Sequence, residues 1–216
     1  MTVTIAAGNR HELRRLIEER LKDSRPPTDP RSAVPAGFSA EVDAAVRQYF
    51  PAAPVAAAVL VPIVDREDGL RVLLTQRASH LKNHAGQISF PGGRIEGGDA
   101  GPLAAALRET EEEIGLSRQH VTFAGYLEPH LVLTGFWVTP VVGFVQPGFA
   151  LQLDRSEVES TFEVPLLHIL DAANHQSRER MLGTTKVLVY DIPYGEHRIW
   201  GATAGMLMSL YRLLRE

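Results

Sequence analysis

The sequence predicts a mixed α/β sandwich. Three features predict it: apolar runs of strand length lie before and after one helix at 103–116, turn-rich stretches separate those runs, and an amphipathic helix closes the chain.

In chain order, residues 10–22 carry Leu13, Leu16, Ile17 and Leu21 at helical spacing. "DSRPPTDPRSAVPAG" follows, with four prolines in fifteen residues, and reads as a linker or an extended arm. "SAEVDAAVRQY", 39–49, reads as a second helix with Ser39 as its N-cap. Residues 1–50 are thus expected to form a helical N-terminal extension with a Pro-rich arm, packed on the core or on a partner subunit. Residues 51–216 are expected to form the main domain. There, "APVAAAVLVPIV" and "LRVLLTQR" flank "DREDG", a hairpin signal. "HVTFAGYLEP" and "FWVTPVVGFVQP" read as strands, "STFEVPLLHILDAA" as a strand edge entering a helix, and "KVLVYDIPYGEHRIWGAT" as a strand pair. "TAGMLMSLYRLLRE" gathers Met206, Leu210, Leu213 and Leu214 on one side of the closing helix.

The chain has 216 residues, 44% hydrophobic and 22% charged, enough for a sizeable soluble core. A net charge of −4 gives no broad footprint for nucleic acid. With no cysteine, disulfides, thiol nucleophiles and Cys-ligated zinc are excluded. The N-terminus lacks the apolar run of a signal peptide, and no run is long enough to span a membrane. A cytoplasmic protein is expected, with no membrane partner. A homodimer, through residues 1–50 or a sheet edge, is left open.

The informative stretch is "LAAALRETEEEIGL", 103–116. Glu109, Glu111, Glu112 and Glu113 crowd its end, where the helix dipole disfavours negative charge. Glu109 and Glu113 also repel as an i, i+4 pair. At about 100° per residue, Leu103, Leu107, Thr110 and Ile114 share one face and Glu109, Glu112 and Glu113 another. Asp99 and Pro102 suit the start of the helix and Gly115 a left-handed stop. A solvated acidic face is the plain alternative. A divalent cation would resolve the repulsion, and three hard oxygen ligands suit Mg²⁺ or Mn²⁺ shared with substrate phosphates.

"GRIEGGDAGPLAAALRETEEEIGL" resembles the Nudix box. Gly93, Arg108-Glu109, Glu112-Glu113, Gly115 and Leu116 match its pattern. Asp99 stands where the general pattern has Glu, eight rather than seven residues separate it from Arg108, and Thr110 replaces an apolar residue. Upstream, "LLTQRASHLKNHAGQISFPGG", 73–93, resembles the signature of the coenzyme A pyrophosphatases of that superfamily, with Lys82 in place of its second Arg. Together the motifs cover 73–116, about a fifth of the chain. "RIWGATAGML" is similar to the tail of the same subgroup.

The resemblance implies a Nudix-type α/β/α sandwich with a mixed sheet and a catalytic loop-helix. It also implies metal-dependent hydrolysis of coenzyme A or an acyl-coenzyme A to 3′,5′-ADP and 4′-phosphopantetheine. Glu109, Glu112 and Glu113 are then the metal ligands, with Glu109 a ligand or a base, the Gly93 carbonyl a further ligand and Arg108 the residue orienting a carboxylate. Glu111 reads as solvated. Arg77, Lys82 and His84 are candidates for the substrate's phosphates, and Phe90 is either a base-stacking residue or core. Glu157, Glu159 and Glu163 are candidates for an acid from outside the box, against surface charge. His130 and Trp200 read more readily as structural. Within the same superfamily a nucleoside triphosphate, NADH or ADP-ribose is the alternative substrate. A non-catalytic binding module is disfavoured because the box carboxylates are retained.

Overall fold

The computed structural model describes residues 9–29, 32–39, 46, 48–50 and 52–215. The helix expected at 39–49 lies mostly outside them. The first half of the chain runs α1 (Arg10–Leu21), β1 (Val34–Pro35), β2 (Val55–Arg66), β3 (Gly69–Arg77), β4 (Ile88–Ser89), β5 (Gly92–Arg94) and α2 (Pro102–Ile114). The second runs β6 (Val121–Tyr126), β7 (His130–Leu131), β8 (Phe136–Val145), β9 (Val158–Pro165), α3 (Leu166–Leu170), β10 (Gln176–Leu182), β11 (Thr185–Tyr194), β12 (His197–Trp200) and α4 (Gly201–Arg215).

The described strands form one mixed sheet of nine and a second of three. The spine of the large sheet is β2 lying parallel to β8, from Val55 opposite Phe136 to Val64 opposite Val145. The other edge of β2 is shared: Ala57–Val59 pair with β5, and Ile63–Arg66 pair with β3. β9 adds antiparallel to β3. The loop-helix carrying the glutamates therefore departs from the middle of the sheet, beside β2.

Side-chain alternation along β2 explains the layers, because successive residues of a strand face opposite sides. Ala57, Val61 and Ile63 join one core with Val142 and Phe144 of β8, Ile17 of α1 and Leu207 and Leu210 of α4. Ala58, Leu60 and Val64 join the other with Val141, Val145 and Ala105, Ala106 and Ile114 of α2. The expected α/β/α sandwich with a mixed sheet follows, with α2 against one face and α1 and α4 on the other. Leu13, Ile17 and Leu21 of α1 are buried in that second interface.

The small sheet is the main departure. The expected pair β11 and β12 is present, with Ile192 and Ile199 in the main core. β10 has no counterpart in the sequence reading. Its residues, "QSRERML", are exposed except for half-buried Leu182, so no apolar alternation marks it. It exists through its ladder with β11, from Gln176 opposite Asp191 to Leu182 opposite Thr185. Arg178 of β10 and Arg198 of β12 both pair with the fully buried Asp191 between them.

Candidate active site

α2 starts at Pro102 after Gly101, with no side-chain cap. It ends at Gly115 in the left-handed region, φ 69°, where Gly115 N donates to Glu111 O. Thr110, the departure from the box pattern, is fully buried and its hydroxyl donates to Ala106 O at 2.6 Å. A buried hydroxyl satisfied by its own helix is tolerated where an apolar side chain is usual.

Asp99 does not cap the helix. Its two carboxylate oxygens accept from Arg108 Nε at 3.1 Å and Nη2 at 2.9 Å, and Glu96 N donates to it at 2.8 Å. The Arg108 hydrogen bonds hold the Asp99 carboxyl below its ordinary range. Arg108 also donates from Nη1 to Glu109 Oε1 at 2.9 Å and Glu112 Oε2 at 3.0 Å, and from Nη2 to Arg94 O. The two-pronged contact of Arg108 therefore goes to Asp99, while a single nitrogen bridges two box glutamates.

Glu113 faces the other way. It is 6% exposed, and Gly92 N donates to its Oε2 at 3.1 Å. Burial pushes its carboxyl up to about 8, against the Gly92 bond, with Glu157 and Glu109 repelling it further. Burial also raises Glu109, opposed by Arg108. The glycines permit this crowding. Gly92 has φ 148°, and a Cβ there would run into the Ala58 carbonyl and Val59. A Cβ on Gly93 would land on the Glu109 carboxylate.

Arg77, His84, Gly93, Glu109, Glu113 and Glu157 line one cavity of about 470 Å³, with Phe136 and Val138 of β8 on another wall. Arg77 Nε is buried without a hydrogen-bond partner. Glu157, one of three acids weighed outside the box, enters because its carbonyl accepts from Ala78 N at 2.8 Å, tying the start of β9 to the end of β3. The other two lie elsewhere: Glu159 accepts from Ser79 N and Glu163 pairs with Arg66. The contribution of β8 went unread, since its side chains follow only from its pairing with β2.

Several expectations need correction. Lys82 is exposed and outside the cavity lining. Phe90 is 3% exposed in the main core, so it does not stack on a ligand. Glu111 is not merely solvated: Arg118 donates to it from both backbone N and guanidinium. Glu112 has a side chain 58% exposed, held by Arg108, and is not among the residues lining the cavity. The structural readings of His130 and Trp200 need no correction: His130 is buried, with Nε2 3.0 Å from Ser209 Oγ, and Trp200 lies outside this cavity.

Among the described residues, no three Asp, Glu or His side chains converge closely enough to hold a metal as they stand. Arg108 draws Glu109 and Glu112 to itself, and Glu113 turns inward to Gly92. The chemistry of the donors nonetheless fits a hard divalent cation. Glu109, Glu113 and Glu157 repel one another in one cavity, and the missing Cβ of Gly93 leaves backbone in contact range of a carboxylate.

Residues 54–182 match the family model described as NUDIX domain. The chain is 42% identical over 155 residues to the uncharacterized Nudix hydrolase NudL of Salmonella paratyphi B, covering 71% of this chain and 80% of that one. NudL of Salmonella newport matches equally. Among solved structures, an Ap4A hydrolase from C. elegans aligns at 22% identity over 51% of this chain and 80% of its own, with a TM-score of 0.45.

Proposed function

The chain belongs to the Nudix hydrolase family, and from that premise we propose that it cleaves the diphosphate of coenzyme A or an acyl-coenzyme A with Mg²⁺ or Mn²⁺. The products are 3′,5′-ADP and (acyl-)4′-phosphopantetheine. One observation carries the reading: Arg77, from the upstream motif, has its Nε buried without a hydrogen-bond partner and lines the same cavity as the box carboxylates Glu109 and Glu113. Such a pairing suits an anion neutralised by Arg77 on one side and by a divalent cation held on the carboxylates on the other.

Glu109, Glu113 and the Gly93 carbonyl are the proposed metal donors, with Glu112 joining when it leaves Arg108. A bound divalent cation supplies charge neutralisation at the diphosphate oxygens and a lowered pKa for water. The remaining work belongs to the chain. Arg77 holds a phosphate oxygen through charge-assisted hydrogen bonds. Arg108, fixed by Asp99, keeps Glu109 in place. Glu109 or Glu157 takes the proton of the attacking water. Oxygen bonds to one phosphorus, the bridging P–O bond breaks, and the leaving phosphate carries away the electron pair. Electrostatic preorganisation and positioning account for most of the rate gain.

The position of Lys82 favours a second reading. Without it in the cavity, only Arg77 and His84 of the three upstream phosphate candidates line the site, which suits a nucleoside diphosphate derivative lacking a 3′-phosphate, such as NADH or ADP-ribose. Product analysis by mass spectrometry separates the two. Purified protein with Mg²⁺ or Mn²⁺ meets coenzyme A, acetyl-coenzyme A, NADH, ADP-ribose and nucleoside triphosphates. Dominant release of 3′,5′-ADP supports the first reading. Preference for any other compound discards it and retains the box chemistry.

A further inference from the structure

Next to the catalytic cavity lies a groove of about 290 Å³ with a different character. Phe38, Leu133, Met181, Val187, Val189 and Trp200 line it. His84 and Thr134 line both spaces, so the two adjoin there. Among the groove's described lining residues only His84 and Arg180 are ionisable, and the Arg180 guanidinium lies 4.6 Å above the Trp200 ring centroid. The hydroxyl of Thr203, another lining residue, donates to Ile88 O at 2.9 Å. Polar groups collect instead at the junction, where His84 Nδ1 lies 2.9 Å from Gln87 Oε1.

We propose that this groove receives the acyl-thioester arm of the substrate, with its diphosphate in the carboxylate cavity; this rests on the coenzyme A reading above. The polarity of the two spaces follows that of the ligand. The diphosphate meets Arg77 and the glutamates, the amide-bearing arm passes His84, Gln87 and Thr134, and the hydrocarbon end meets the small sheet. Met181, 64% exposed, stands at the open side, so a longer chain extends past it. The element absent from the sequence reading, β10, thus supplies a wall that sets acyl preference.

Burying a methylene adds roughly fourfold in affinity. The expected result is a kcat/KM ratio of octanoyl- to acetyl-coenzyme A of at least about tenfold in the unaltered protein. In Met181→Asp, an exposed position whose substitution spares the core, that ratio falls to near one. Leu133→Asp, also exposed, repeats the measurement at a second lining residue. Equal turnover of both substrates by the unaltered protein, or an unchanged ratio in both variants, overturns the groove proposal and leaves the coenzyme A reading standing. Turnover of no coenzyme A species removes that reading and the occupant with it. Sedimentation checks the competing occupant: a dimer dispersed by Met181→Asp makes the groove a face between two copies, and the proposal falls.

Discussion

Asp99 grips one edge of the Arg108 guanidinium with both carboxylate oxygens, accepting from Nε on Oδ1 at 3.1 Å and from Nη2 on Oδ2 at 2.9 Å, leaving Nη1 to bridge Glu109 and Glu112. The extra residue before Arg108 and the shorter acid are accommodated together. Asp99 also accepts from Glu96 N, which fixes the turn preceding α2.

Asp99→Asn should therefore loosen the carboxylate set without emptying it. Groups that orient metal ligands typically change affinity or activity by 10–100-fold. A loss of about tenfold in kcat, with weaker Mg²⁺ activation, is expected from kinetics titrated with the metal. If both stay within twofold, Arg108 needs no anchor.

Glu113→Gln and Glu112→Gln should separate. Glu113 is buried in the cavity wall, whereas Glu112 is exposed and held by Arg108. Removing an essential charge-stabilising or general-base group costs ~10²–10⁴-fold. The Glu113 variant should fall in that range with its circular dichroism unchanged, and the Glu112 variant should lose less. Equal losses, or a Glu113 variant within tenfold of the parent, contradict the assignment.

Arg77→Ala should raise KM for the diphosphate substrate by roughly 10–100-fold, the size of a lost charge-assisted hydrogen bond. Lys82→Ala should leave the ratio of coenzyme A to 3′-dephospho-coenzyme A turnover within twofold, because Lys82 lies outside the cavity. A selective loss on coenzyme A would restore Lys82 to the 3′-phosphate.

The pH dependence of stability should carry the signature of Glu113. Its carboxyl is raised from 4.5 to about 8, so between these values the folded chain binds more protons than the unfolded one and stability falls as pH rises. His130, lowered from 6.5 to about 4 by burial, acts oppositely: it adds stability with rising pH across that lower window. The Glu113 effect is clearest from about 6.5 to 8. In chelator, the melting temperature should decline there, and Glu113→Gln should flatten the decline. A rise in the parent protein would refute the burial argument.

Much of the site was legible in local sequence because its chemistry is local. The run 108–113 places Arg108 beside Glu109 and one turn from Glu112, so helical geometry alone brings them into contact. The stop at Gly115 was equally readable. The split between Glu112 and Glu113 was not. Neighbours in sequence sit about 100° apart on a helix, and which one is buried depends on the sheet beneath. The sequence places Asp99 at the helix start because nothing in its neighbours shows that Arg108 turns back to it. Lys82 and Phe90 lie in the same motif as Arg77, yet one is exposed and the other is in the core.

By itself the sequence determined the α/β layering, through apolar runs of strand length and amphipathic helices, and the identity of the carboxylate helix, through charge held where a helix disfavours it. Only the tertiary structure decided which carboxylates share a space. Glu157 reaches Glu109 and Glu113 through β9 pairing with β3, and the groove wall exists because β10 pairs with β11. Strand pairing joins residues far apart in the chain through backbone hydrogen bonds that carry little side-chain signature. An exposed polar strand such as β10 therefore leaves no pattern to read until its partner is in place.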